Sequence, residues 1–315
     1  MDTNFDEREL LSRRDLATLM ARRDLPTHLR LTLHLGLFVG LTAALMTTAM
    51  PWPVRAPALL ALAFLLFSLY APYHECTHQT AFRTKWLNTL WGQLLGVPYG
   101  YSLGMHKAFH FTHHRKTNRE GDPEKGFSLP PMPGRLGFQA VFAGALGSLV
   151  PLHSLVLAVV PPRLWDRVEA GWTAPAARPR LAWECRAMAL CWIAGVSALA
   201  VFHPVFLAEF LAVLVLARII HGVVTVTEHE EMPAEGDQLA RTRTVRTNAV
   251  FRWFWWNMNF HAIHHAWPAI PWHALPEAHA RCLAQDMHVE SSYLAFYAKS
   301  ARGELGEAPA PDARA

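Results

Sequence analysis

The chain has 315 residues, 52% of them hydrophobic and only 17% charged, with a formal net charge of +4. That balance is greasier than an ordinary soluble domain and too weakly basic to point to nucleic acid. The apolar residues come in blocks with Arg and Lys packed between them, which predicts a membrane protein whose basic faces meet anionic lipid or an acidic substrate group. Four scattered cysteines, Cys76, Cys185, Cys191 and Cys282, make no CxxC pair and read as thiols in a reducing compartment.

In chain order, residues 1–30 are expected to be a cytoplasmic segment with an amphipathic helix over about 12–23. The early acids Asp2, Asp6, Glu7 and Glu9 do not suit a cleavable signal peptide. Residues 31–50 are uncharged and long enough to span a bilayer. Pro51, Pro53 and Pro57 predict a tight turn, and residues 58–73 a second span that continues through His78, kinked at Pro72. Residues 86–105 are aromatic and Gly-containing, as in a helix lying in the interface. Residues 136–160 are apolar enough to cross but are interrupted by Gly144, Gly147 and Pro151. A second hairpin is expected from 187–202 and 205–220 around His203-Pro204, with Glu209 and Arg218 snorkelling near opposite ends of its second helix.

Arg55 is the only Lys or Arg in either outer turn, so the positive-inside rule places both termini and residues 79–180 in the cytoplasm. The expected fold is an all-α integral membrane protein of two helical hairpins, about four spans, with interfacial helices and a cytoplasmic histidine-rich cap. The membrane domain would occupy residues 31–302, followed by a disordered tail over 303–315.

Nine of the 18 histidines lie in three windows totalling 19 residues: His74 and His78; His106, His110, His113 and His114; and His261, His264 and His265. On a helix i, i+3 and i+4 share an arc, so each window should present its imidazoles together. Such a donor set suits iron among the divalent transition metals. A single crossing by 136–160 would separate the third window from the first two, so that segment reads as interfacial or re-entrant. His229, expected to bend back after the last span, is a further candidate, and His221 a weaker one. His106 reads as structural, as do His28, His34, His153, His203, His273, His279 and His288.

With these windows the sequence resembles the membrane fatty acid desaturase and hydroxylase superfamily, whose histidine boxes HxxxH, HxxHH and HxxHH lie at helix ends on the cytoplasmic face. The boxes match His74–His78, His110–His114 and His261–His265, and HECTHQTAFRTKWLN, FHFTHHRKTNREGDPE and TEHEE around them resemble bacterial members. The likeness covers roughly residues 60–285. It implies nine iron ligands, His74, His78, His110, His113, His114, His229, His261, His264 and His265, holding two irons. It also implies an O2-dependent reaction and a fatty acyl substrate carried as a lipid, acyl-CoA or acyl-carrier protein. Ile263 departs from relatives that often carry a carboxylate or glutamine there, at a position that is not a ligand.

The implied reaction removes hydrogen from two adjacent carbons. The alternative on the same scaffold returns oxygen, as in a lipid, carotenoid or alkane hydroxylase. Glu75, Asp122, Glu228, Asn257 and Asn259 are candidates to orient the imidazoles. Trp253, Trp255 and Trp256 are expected to anchor at the interface rather than line a lipid tunnel. There is no cysteine set for an iron–sulfur cluster and no cytochrome b5 haem motif, so electrons are expected from a separate ferredoxin or cytochrome b5 type of protein. The rival of another class is a membrane metalloprotease, because His74-Glu75-Cys76-Thr77-His78 is formally HExxH. It leaves the other histidines without a purpose.

Overall fold

A computed structural model describes residues 10–125, 132, 134–168, 171–282 and 287–305, so most of the expected tail lies outside the described residues. Helix α1 (Arg13–Leu19) is capped by Ser12, whose hydroxyl accepts from the Asp15 amide at 3.1 Å. Helix α2 (Leu25–Thr47) starts before the uncharged run and takes in Arg30. That charge does not end the span because it is buried and partnered. Its guanidinium donates to the carbonyls of Arg252 and Trp253 and lies over the rings of Trp253, Trp256 and Trp272 at 5.0, 5.3 and 4.4 Å.

Helix α3 (Trp52–Ser68) has Pro53 in its first turn and Pro57 inside it. Pro53 therefore opens the second span instead of forming a turn before it, since a first-turn proline loses no helical hydrogen bond, while Pro57 leaves the Pro53 carbonyl without its helical donor. The chain breaks at Leu69 and resumes as α4 (Tyr70–His78). Pro72 accounts for the break, because it has no N–H for the Ser68 carbonyl and its ring crowds that oxygen.

The expected interfacial helix over 86–105 is two helices, α5 (Lys85–Gly96) and α6 (Leu103–Lys116), joined by a short turn. Gly100 supplies the left-handed conformation there (φ 61°), and the Ser102 hydroxyl caps α6 by accepting from the Met105 amide at 3.2 Å. Helices α7 (Arg135–Gly147) and α8 (Val150–Val159) follow, with a 41° bend between them.

The second hairpin is longer than its apolar runs: α9 is Arg178–Phe202 and α10 is Pro204–His229. Among the described residues four helical segments are long and apolar enough to cross a membrane, Leu25–Thr47, Trp52–His78, Pro175–Phe202 and Pro204–His229, and the bent α7–α8 pair would qualify if taken as one span. The hairpins are tied at the end away from the histidines by Arg55, which donates twice to Glu209 at 2.6 Å. Glu209 thus pairs within the protein, and Arg218 turns inward over Gly147, so neither snorkels.

The stretch of chain that carries α7 and α8 starts and finishes near the histidines. Arg135 pairs with Glu231 and Gln139 donates to Glu230 at 2.8 Å, at the histidine end of α10. On the far side of α8, Trp172 packs edge-on against Phe109, next to His110. Helix α7 crosses α10 through Gly144 and Gly222, where an added Cβ would collide with the Arg218 or Ala140 carbonyl.

The remaining elements cap this end: α11 (Gln238–Arg241), β1 (Arg243–Val245), α12 (Ala249–Phe254), α13 (His261–Ala266), α14 (Leu275–Cys282), β2 (His288–Glu290) and α15 (Tyr293–Arg302). The two strands pair in parallel, Arg243 with His288 and Val245 with Glu290. The all-α membrane fold expected from the sequence is present, with this short ladder added.

Candidate metal centre

Four helices deliver the histidines: α4 ends on His78, α6 carries His110, His113 and His114, α10 ends on His229, and α13 carries His261, His264 and His265. All nine candidates are brought together, but as two groups. One holds His74, His78, His110, His114 and His264; the other holds His113, His229, His261 and His265. Within each group the potential ligand atoms lie within 4.8 Å of one another.

This corrects the expectation that each window serves one arc. At about 100° per residue, positions i and i+4 lie close together while i+3 swings to the other side. His110 and His114 therefore face the first group and His113 the second. In α13 the pattern inverts: His261 and His265 face the second group, and His264 the first. His229 is the last residue of α10 itself, so no bend-back is needed to bring it in.

The ring nitrogens fit a metal. His74 Nε2 lies 2.7 Å from His110 Nε2, which lies 2.9 Å from His114 Nε2, which lies 3.2 Å from His264 Nε2. In the second group the Nε2 atoms of His229 and His261 are 2.8 Å apart, and those of His113 and His265 are 3.3 Å apart. A neutral imidazole nitrogen carries one proton or one lone pair, so the middle nitrogens of His110 and His114 cannot each satisfy two neighbours. A cation at the centre resolves this, since metal–nitrogen bonds of about 2.1 Å set neighbouring ligand atoms about 3 Å apart. The Nδ1 atoms of His74, His110 and His264 and Nε2 of His78 are buried without a hydrogen-bond partner among the described residues.

Electrostatics keep these imidazoles ready to bind. Burial first, and then the neighbouring rings, hold His110, His114, His261, His264 and His265 well below the ordinary histidine range. His113 is the exception. Burial pulls it down, but Glu124 and the hydrogen bond to Asp122 raise it.

Of the five proposed orienting residues, two reach a histidine. Asp122 Oδ1 lies 2.9 Å from His113 Nδ1, and Glu228 Oε2 lies 3.5 Å from His261 Nδ1. Glu75 faces away, its Oε2 accepting from the Thr80 hydroxyl at 2.6 Å and the Trp272 amide at 3.1 Å. Asn257 and Asn259 donate to the carbonyls of Trp272 and Val245. The placement of Glu75 also removes the protease reading, because the would-be base is turned away from the metal-binding face of its own helix.

His106 stands outside both groups. Thr77 donates to the Tyr73 carbonyl at 3.2 Å, which leaves its oxygen to accept from His106 Nδ1 at 2.8 Å. His106 Nε2 then accepts from the Tyr70 hydroxyl at 2.9 Å. This link was missed, although Tyr70 precedes His74 by one turn just as His106 precedes His110.

A cavity of about 400 Å³ adjoins both groups, with His74, His110, His113, His229 and His261 in its wall. Trp255 lines it, stacked on Phe67 with ring centroids 4.4 Å apart, and Trp256 is fully buried. Those two tryptophans are therefore not interface anchors. Trp253 is half-buried under Arg30.

The model of the fatty acid desaturase family matches residues 50–296, which takes in all nine histidines. The chain belongs to the fatty acid desaturase family. No curated protein matches it. The desaturase segment opens just before α3 and closes within α15, so it includes both hairpins except α2. The family is one of membrane di-iron oxidoreductases whose substrates are fatty acyl chains, and each of the two histidine groups here could hold a metal ion.

Proposed function

We propose that this desaturase introduces a double bond into a fatty acyl chain in an O2-dependent reaction, with one iron held by His74, His78, His110, His114 and His264 and the other by His113, His229, His261 and His265. The observation that carries the reading is the sharing of one cavity wall by both histidine groups. Iron bound there supplies the oxidation of an unactivated C–H bond, which no side chain can perform.

The protein's own share is positioning. Tyr70, Trp255, Leu214 and Met258 give the cavity an apolar wall that holds an alkyl chain and keeps water from the reacting carbons. Asp122 fixes the orientation of His113 and raises its basicity as a ligand, and Glu228 stands 3.5 Å from His261. Electrons come from a separate ferredoxin or cytochrome b5 type of donor.

The histidine end of the bundle, together with both termini, faces the cytoplasm, with residues 31–302 as the membrane domain. Single cysteines introduced near Asp122 and near Pro268 should react with an impermeant reagent from the cytoplasmic side only. Labelling of either from the other side sinks this orientation. Lipid analysis of a host expressing the protein should show a new unsaturated acyl chain that disappears in the His264→Ala variant. A new hydroxylated lipid in place of the alkene would reassign the reaction.

A further inference from the structure

Helix α10 carries two polar side chains that the chemistry above does not use. Arg218 and His221 lie one turn apart on the same face, and both line the cavity. Arg218 Nε and His221 Nδ1 are each buried and without a hydrogen-bond partner among the described residues. The guanidinium rests directly over Gly147: a Cβ there would come within 2.7 Å of Nη2 and 2.9 Å of Nε. Glycine at the end of α7 thus makes the space in which this cation sits. The partial negative charge at that helix end is the bland partner for it, but a helix end is a fraction of a charge. An unpaired cation far inside a membrane-spanning helix calls for more.

The cavity is also electrically polarised. Glu124, Glu228 and Glu230 line it near the histidines, where Lys125 is engaged with the Asn118 carbonyl at 3.0 Å. At the opposite end stand Arg218 and His221. Any metal held by the histidines would offset those acids, whereas Arg218 has no acidic partner among the described residues, so an anionic end group is drawn to the second region. At about 400 Å³ the space suits a single alkyl chain.

We infer that Arg218, with His221 beside it, is the binding site for the free carboxylate of a long-chain fatty acid, whose alkyl chain runs from there toward the histidines. The inference rests on the lipid-oxidising reading and deepens it by naming the head group. Arg218 and His229 are eleven residues apart on one continuous helix, roughly 16 Å along its axis. The reacting carbons therefore lie well down the chain from the carboxylate. Of the forms an acyl chain can take, the free acid is the one that presents a carboxylate to this pair, so it is the form bound.

Equilibrium binding to the purified, metal-loaded protein tests this without turnover. The probes are a long-chain saturated fatty acid, its methyl ester, and a lysophosphatidic acid of the same chain. The wild type should bind the acid about tenfold or more tightly than the ester, the scale of hydrogen bonds to a charged group. Arg218→Gln should abolish that preference while iron content and ester binding stay unchanged. Gly147→Ala, which keeps the charge but displaces the guanidinium, should lower the preference without removing it. Equal binding of acid and ester by the wild type overturns the inference and leaves the lipid-oxidising reading standing. Binding of lysophosphatidic acid as tight as the fatty acid overturns the carboxylate assignment in favour of a general anion site. Failure of all three probes to bind overturns both readings.

Discussion

The two histidine groups draw on the same helices but rest on different supports. The five-histidine group has the greater number of donors, and its rings are held mainly by packing. Nδ1 of His74, His110 and His264 has no hydrogen-bond partner among the described residues, and the Glu124 carboxylate stands off at 3.7 Å from His110. The four-histidine group has one ring fewer and more behind it. Asp122 is bonded to His113, Glu228 lies near His261, and Nδ1 of His265 lies 3.3 Å from the Thr117 hydroxyl. The contrast teaches that ligand number and ligand support trade off. A group with spare donors tolerates loosely tethered rings, while the smaller group holds two of its four rings, His113 and His265, by a hydrogen bond from behind.

That comparison can be broken most forcefully at His229. Replacing it with alanine leaves three imidazoles for one metal, so about half the iron per chain and nearly all product should be lost. The check is elemental analysis and product yield at matched expression. Retention of both irons in His229→Ala would remove α10 from the site.

A smaller effect is expected from Asp122→Asn. An amide can still contact His113 but no longer carries the charge that fixes its tautomer and basicity. Loss of such outer partners costs about 10–100-fold in metal affinity or activity. The loss should be confined to one of the two irons in a chelator titration. Equal weakening of both sites would mean that the carboxylate supports the cluster as a whole, and the asymmetry drawn above would fail.

The smallest effect belongs to His106→Ala. His106 is bonded to Tyr70 and Thr77 and to neither group, so iron content should remain near the wild-type value. If this variant emptied the five-histidine group, the Tyr70–His106 link would have to be counted as part of its support.

Much of this was legible in the sequence because histidines at i, i+3 and i+4 are rare and their chemistry is narrow. All nine candidate residues could be named, and two apolar hairpins could be drawn from hydropathy and charge. The division into two groups was not legible from the shared-arc rule, which treats i+3 and i+4 as equivalent. The difference of about 100° between neighbours decides which centre each ring faces. Helix ends were misjudged wherever a charge stopped the apolar count. Arg30 continues α2 because three tryptophans from distant segments cover it. The run ending near Ile220 extends to His229 because that last stretch of α10 packs inside the protein. The three-residue strands are too short for any periodicity, and Trp255 and Trp256 were read as interfacial because nothing local shows that α2 and α3 enclose them.

The crossing of α7 and α10 has a consequence for how such a protein can change. Gly144 and Gly222 bring the two helices together main chain to main chain, so their mutual register owes nothing to side-chain size. Ala143 and Val226, which line the cavity close to that crossing, can be enlarged or trimmed without sliding one helix along the other. His229 would keep its place throughout. The mould that receives the substrate can thus be recut by single substitutions while the tool that acts on it stays clamped.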